Sequence, residues 1–160
     1  MEHKFDPKNK EKLFSDFRKK ILPAIKTLRA AGLKEGMVLA DIGSGNGYFT
    51  FPAADIVGSK GKVFALDILP ELLDDISKRI KTEKRNNIEV IKTDENNLII
   101  PDNSVGIAFS CVVFHEAKNL NLFLKEIYRI LKTGGRMAAI DWEKIDSDFG
   151  PPKEHRLDKA

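Results

Sequence analysis

The chain has 160 residues, 42% of them hydrophobic, and a net charge of +3. That length supports one hydrophobic core and excludes two, so a single domain is expected over 1–160, with N-terminal helices over 1–32, a core over 33–142 and a polar tail over 143–160. No apolar run reaches the roughly 18 residues of a membrane span, and the opening MEHKFDPKNKEKLF is charged without an apolar signal core, which predicts a cytoplasmic protein with no membrane span.

Leu13, Phe14, Phe17, Ile21 and Leu22 recur at helical spacing until Pro23 interrupts, and a second helix runs toward Gly32. The strand MVLADI follows, apolar enough at Val38, Leu39, Ala40 and Ile42 to be covered on both faces. It breaks into a turn where Gly43, Gly45 and Gly47 let the backbone fold tightly and approach a ligand closely. A helix then runs toward Gly58, and the strand KVFALD ends at Asp67. Leu72, Leu73, Ile76 and Ile80 form one stripe of the next helix, before the short strand IEVIK and a connection from Asp94 to Asp102. The fourth strand is GIAFSCVV. Phe123, Ile127, Ile130 and Leu131 share one face of the following helix, and Gly134-Gly135 is expected to stop it before the strand RMAAID.

This alternation predicts an α/β fold, a doubly wound, mostly parallel sheet with helices on both faces. Lys78, Arg79, Lys81, Lys84 and Arg85 cluster where a helix presents a solvated face, with no aromatics interleaved, so no nucleic-acid partner is expected. The single cysteine, Cys111, excludes an internal disulfide. Three scattered histidines beside it lack metal-ligand spacing, and no metal is expected.

The glycine turn carries the chemistry. A dinucleotide fingerprint needs Gly-x-Gly-x-x-Gly, but counting from Gly43 the third position is Tyr48. What stands here is Asp41-x-Gly43-x-Gly45-x-Gly47. A second acid, Asp67, ends the next strand at 67 − 43 = 24 positions beyond the first glycine, close to the roughly 20 at which such folds place a ribose-binding carboxylate. Asp67 also has a structural reading as a cap of the following helix, where Pro70 suits the first turn, and the two roles are compatible.

This pattern resembles the first motif of Rossmann-like (class I) S-adenosylmethionine-dependent methyltransferases, and later motifs extend the resemblance over essentially the whole chain. KEGMVLADIGSGNGYFTFPAADIVGSKGKVFALDI, PDNSVGIAFSCVVFHE and LKEIYRILKTGGRMAAIDWEK are most similar to the small-molecule branch related to the ubiquinone and menaquinone C-methyltransferases, as is the tail FGPPKEHRL. The resemblance implies S-adenosylmethionine as cofactor and S-adenosylhomocysteine as product. It places Asp41, Gly43, Ser44, Gly45 and Gly47 around the methionine part and ribose, with Asp41 orienting the ammonium end. Asp67 and Ile68 fall at the ribose, while the Asp94 carboxylate accepts from the adenine amino group and Glu95 offers a backbone N–H. The backbone carbonyls of Ser110 and Cys111 match positions that hold the ammonium group.

Phe114, His115 and Glu116 fall where an acceptor would meet the methyl group. His115 is the histidine placed to act as a base, but it reads equally as a packing or capping residue, so no catalytic residue is assigned. The implied reaction is methyl transfer to a small-molecule acceptor by in-line displacement. The Asn/Asp-Pro-Pro-Tyr/Phe motif of nucleic-acid amino-methylating enzymes is missing after the fourth strand, and one cysteine argues against a thiol-rich arsenite site.

Two departures from the family pattern stand out. Gly106 replaces the acid that usually begins the fourth strand, and the sequence ends soon after RMAAID, where such domains add a helix and an antiparallel strand pair. An uncovered edge from Arg136 to Asp141 would invite pairing with another chain, so a homo-oligomer, subunit contact or disorder is expected there. The competing functions are a cofactor-binding protein that is inactive alone and works through a partner or a missing C-terminal part, and a nicotinamide oxidoreductase, against which the loop argues.

Overall fold

The strand β1, Val38–Ile42, is the centre of the molecule, because all of its side chains but Asp41 are apolar and partner strands flank it on both sides. In the computed structural model, which describes residues 15–147 and 150–158, it pairs in parallel with β2, Lys62–Asp67, and with β4, Val105–Cys111. β3, Ile88–Lys92, and β5, Leu131–Ile140, complete a five-stranded parallel sheet in the order β3-β2-β1-β4-β5. The register sets Ile42 beside both Leu66 and Ser110, so the carboxyl ends of the three central strands open at one edge. Open α/β sheets bind ligands at such an edge, where the strand order reverses.

Alternate residues along each strand divide between two helical layers. Leu39, Val63, Ile107 and Phe109 pack with Leu28 of α2, Ala24–Ala30, and with Ala53, Ala54 and Val57 of α3, Thr50–Val57. On the same face, α4, Pro70–Glu83, packs Leu73 and Ile76 against Ala65 and Phe51. Ala40, Ile42, Phe64, Leu66 and Ala108 face the other way, toward Phe123, Ile127 and Ile130 of α5, Leu120–Ile130. Each of those three α5 side chains is almost wholly buried, and each such burial contributes about 1.5–3 kcal/mol. The sheet is doubly wound, as the alternation predicts.

Three boundaries differ from the sequence-based expectation. The first helix, α1, spans Asp16–Ile21 and is capped by Ser15, whose hydroxyl accepts the Arg18 amide at 3.2 Å. Phe17 and Ile21 remain about half exposed, and the expected Leu13 and Phe14 lie outside the described residues. α5 stops at Ile130 rather than at Gly134, because Leu131 turns extended (φ −72°, ψ 134°) and pairs with Val105. Arg136 is the next residue in register, opposite Ile107, so the glycines form a bulge in β5 rather than a helix stop. β4 ends at Cys111 instead of Val113, because Val112 takes a left-handed φ of 63°.

β5 is an edge strand, paired only with β4 among the described residues. Its Met137 is 39% exposed. The tail beyond it is built around a buried arginine. Arg156 donates to the carbonyls of Pro151 (2.9 Å) and Ile145 (2.7 Å) and lies over the Trp142 ring. Among the described residues no helix is long and apolar enough to cross a membrane.

Candidate functional site

The loop after β1 is held in place by backbone amides and one carboxylate. Gly43, Gly45 and Gly47 take φ values of +71°, +56° and +93°, a region where a side chain is strained. The amides of Gly43 and Ser44 both donate to the Leu66 carbonyl, at 2.8 and 2.9 Å. The Gly45 amide donates to Asp67 Oδ2 at 2.8 Å, and the Leu69 amide to Asp67 Oδ1 at 2.9 Å. Asp67 thus joins the glycine loop to the start of α4. Burial raises its pKa, against the amides of Leu69, Gly45 and Ile68 that favour the ionised form.

Of the residues singled out in the sequence, Gly43, Ser44, Gly45, Asp67 and Ile68 line a single cleft. Asp94 and Glu95, after β3, and Cys111, at the end of β4, line it as well. Asp41, Gly47 and Ser110 do not. Asp41 lies beneath the loop, 2% exposed, and accepts the Thr50 hydroxyl at 2.6 Å. Burial pushes its carboxyl up to about 7, the Thr50 bond opposes that rise, and the neighbouring Asp67 charge adds to it. Asp41 therefore ties β1 to α3 from inside the core. Gly47 is small for a packing reason, since a Cβ there would fall 2.8 Å from the Phe51 ring.

Side chains fix the far wall. Asp94 Oδ1 accepts the Asn96 amide at 2.9 Å, and Glu95 Oε1 accepts the amide of Asn119, which caps α5. Glu126 accepts the Leu98 amide at 3.1 Å while Arg129 donates to the Ile100 carbonyl at 2.7 Å, which fixes the segment after Asp94 onto α5.

The segment after β4 forms the wall nearest the loop. Val112 and Val113 line the cleft, and a Cβ on Gly43 would approach Val113 Cγ2 within 2.2 Å. Asp141 holds this segment. Its Oδ2 accepts the amides of Val113, Phe114 and His115 at 3.1, 2.8 and 3.3 Å, and its Oδ1 meets His115 Nδ1 at 2.8 Å. Burial alone would raise the Asp141 pKa, but the His115 ring and the Trp142 amide outweigh it and hold the carboxyl below its ordinary value.

The His115 side chain is only 3% exposed and does not line the cleft, so the structure supports its packing reading. Glu116, beside it, does line the cleft. Sequence reasoning placed Glu116 at the acceptor end but missed Asp141 and Arg18. Asp141 had a signal, since it ends the last strand at the same edge as Asp67. Arg18 had none, because it reaches the cleft from α1 across a large gap in sequence.

The cleft fits a cationic, phosphate-free cofactor. Asp67, Asp94, Glu95 and Glu116 line it, and Arg18 is its only lysine or arginine among the described residues, a balance that suits a sulfonium and an ammonium and disfavours a pyrophosphate. Ser44 Oγ, buried in the lining, has no hydrogen-bond partner among the described residues and is left to meet a ligand. Burial pushes the Cys111 thiol up to about 11, with Arg18 pulling the other way. Among the described residues, no group of three His, Cys, Asp or Glu side chains could hold a metal ion.

Comparison with known proteins gives the same picture. The family model described as a methyltransferase domain matches residues 40–139. A solved structure of a SAM-dependent methyltransferase from Aquifex aeolicus superposes with a TM-score of 0.90 at 37% identity, over 97% of this chain and 82% of that one. A demethylmenaquinone methyltransferase of Lactococcus lactis is 30% identical over 125 residues, covering 78% of this chain and 50% of that protein. An arsenite methyltransferase of Halobacterium salinarum is 31% identical over 111 residues, covering 69% of this chain and 28% of that protein. The chain thus spans half or less of the length of these two curated relatives. With the family model over most of its core and a close structural relative over nearly its whole length, the chain belongs to the S-adenosylmethionine-dependent methyltransferase family.

Proposed function

We propose that the chain transfers a methyl group from S-adenosylmethionine to a small organic acceptor in the cytoplasm. The observation that carries this reading is the acid-lined cleft between the Asp67-anchored glycine loop and the Asp141-anchored segment after β4. Gly43, Ser44, Gly45, Asp67 and Ile68 would hold the cofactor along the loop and the end of β2, Asp94 and Glu95 beyond β3, and Cys111 at the end of β4, with Asp41, Gly47 and Ser110 supporting the walls from behind.

Bound there, the cofactor would supply a methyl carbon already activated by its sulfonium, with S-adenosylhomocysteine as the leaving group. The chain's part is to align the acceptor and exclude water, which lowers a barrier by up to about 7–11 kcal/mol in well-aligned cases. A protein base is needed only for an acceptor that must lose a proton first.

Between the acceptors named for the two curated relatives, a demethylated quinone and arsenite, the cysteine count favours an organic compound. Cys111 is the only thiol, and burial keeps it protonated at neutral pH. A second reading, a cofactor-binding protein that acts only with a partner or a second copy across β5, is supported by the free strand edge and its exposed Met137.

The test is turnover with S-adenosylmethionine labelled at the methyl carbon, against demethylated quinones, phenols, amines and arsenite. Label transferred to one organic class supports the first reading. Cofactor binding with no transfer to any acceptor supports the second, and transfer to arsenite alone overturns the organic assignment.

A further inference from the structure

Among the described residues one cation, Arg18, lines the cleft. Arg18 projects from α1 to the end of the cleft where the glycine loop meets β4. Its guanidinium carbon lies 5.1 Å from the Tyr48 ring centroid and 5.8 Å from that of Phe49. Nη2 reaches only a weak acceptor, Cys111 Sγ at 3.6 Å, and the buried Nε has no hydrogen-bond partner among the described residues. No carboxylate among the described residues pairs with it, whereas Arg129 and Arg85 are each bonded to two. A guanidinium carries five donors in a rigid fork, and burying it without an acceptor is costly.

We propose that Arg18 is the anchor for the α-carboxylate at the amino-acid end of the cofactor, an inference that rests on the cofactor reading above. The carboxylate is the only anion on S-adenosylmethionine, and Arg18 is the only cation of the lining among the described residues, placed beside Tyr48 and Phe49 of the loop and Cys111 of β4. A planar carboxylate matches the fork with two parallel charge-assisted bonds. The same pair would hold α1 in place. α1 buries no residue of its own, and a neighbouring hold on this segment is the Tyr48 hydroxyl donating to the Leu22 carbonyl at 2.8 Å.

The experiment is calorimetric titration of the full chain and of Arg18→Gln and Arg18→Lys with S-adenosylmethionine, its decarboxylated analogue and 5′-methylthioadenosine, which lacks the whole amino acid. The wild-type chain is expected to prefer S-adenosylmethionine over the decarboxylated analogue by about tenfold or more. Arg18→Gln should erase that preference while leaving methylthioadenosine binding within about twofold, and Arg18→Lys should retain part of it. Hydrogen exchange over residues 16–21 should slow with S-adenosylmethionine but not with methylthioadenosine.

A folded Arg18→Gln chain that keeps the preference, or a wild-type chain without one, overturns the assignment and leaves the cofactor reading intact. Failure of the wild-type chain to bind any of the three overturns the cofactor reading, and this assignment with it.

Discussion

The Asp67 carboxylate accepts the Gly45 amide at 2.8 Å, so the side chain that ends β2 sets the position of the loop that ends β1. Its second oxygen accepts the Leu69 amide at 2.9 Å, and the residue lines the cleft. Asp67→Ala should therefore loosen the loop and remove an acceptor from the cleft together. A loss of roughly 1–3 kcal/mol in binding of S-adenosylhomocysteine is expected, measured by calorimetry on a chain shown to be folded by circular dichroism. Unchanged affinity would remove Asp67 from the site.

Gly43 faces Val113 across the cleft wall. Gly43→Ala adds a methyl 2.2 Å from Val113 Cγ2 at a φ of +71°, so a cost of about 2 kcal/mol or more in unfolding free energy is expected. Val113→Ala in the same chain should recover the part due to the clash and leave the part due to φ. A double-mutant cycle by urea denaturation measures this coupling. Additive single effects would place the cost elsewhere.

Asp41 links stability to pH with a definite sign. Its carboxyl is pushed from 3.8 up to about 7 in the folded chain, so the folded state holds a proton that the unfolded state releases earlier. The stability this provides is complete below about pH 3.8, declines as pH rises, and is gone above about pH 7. Asp41→Asn keeps an acceptor for Thr50 and removes the titration. Its stability relative to the wild-type chain should rise between pH 4 and pH 7, read from denaturation midpoints across that range. A constant difference would contradict the buried, protonated assignment.

Asp141 links in the opposite direction. Its carboxyl is held below the ordinary 3.8, so its contribution is present above that value and is lost as pH falls through the lower folded value. Asp141→Ala leaves the amides of Val113, Phe114 and His115 without their acceptor, and a cost of roughly 2–4 kcal/mol at pH 7 is expected from chemical denaturation. His115→Phe should cost less, because those three amide bonds survive it. Equal losses would mean that the ring, and not the carboxylate, holds the segment.

The sheet was legible in the sequence because its strands are short apolar runs bounded by glycine, proline and acidic residues. The helices α4 and α5 were legible because Leu72, Leu73 and Ile76, and Phe123, Ile127 and Ile130, repeat at helical spacing. Leu131 was misplaced because an apolar residue next to a helix stripe continues the periodicity whether it enters the helix or the following strand, and pairing with Val105 decided the matter. Asp41 was legible as an acid at the loop but not as a buried one, since its partner is the Thr50 hydroxyl on the following helix. The roles of Asp141 and Arg18 depend on contacts across 26 and 93 residues of sequence, which no local pattern carries.

The most direct test of the central claim is calorimetric titration of the chain with S-adenosylmethionine, with S-adenosylhomocysteine and NAD in parallel. Saturable binding of the first two, with NAD far weaker, is the predicted result. A folded chain that binds neither of them, or that prefers NAD, would contradict the assignment of the cleft.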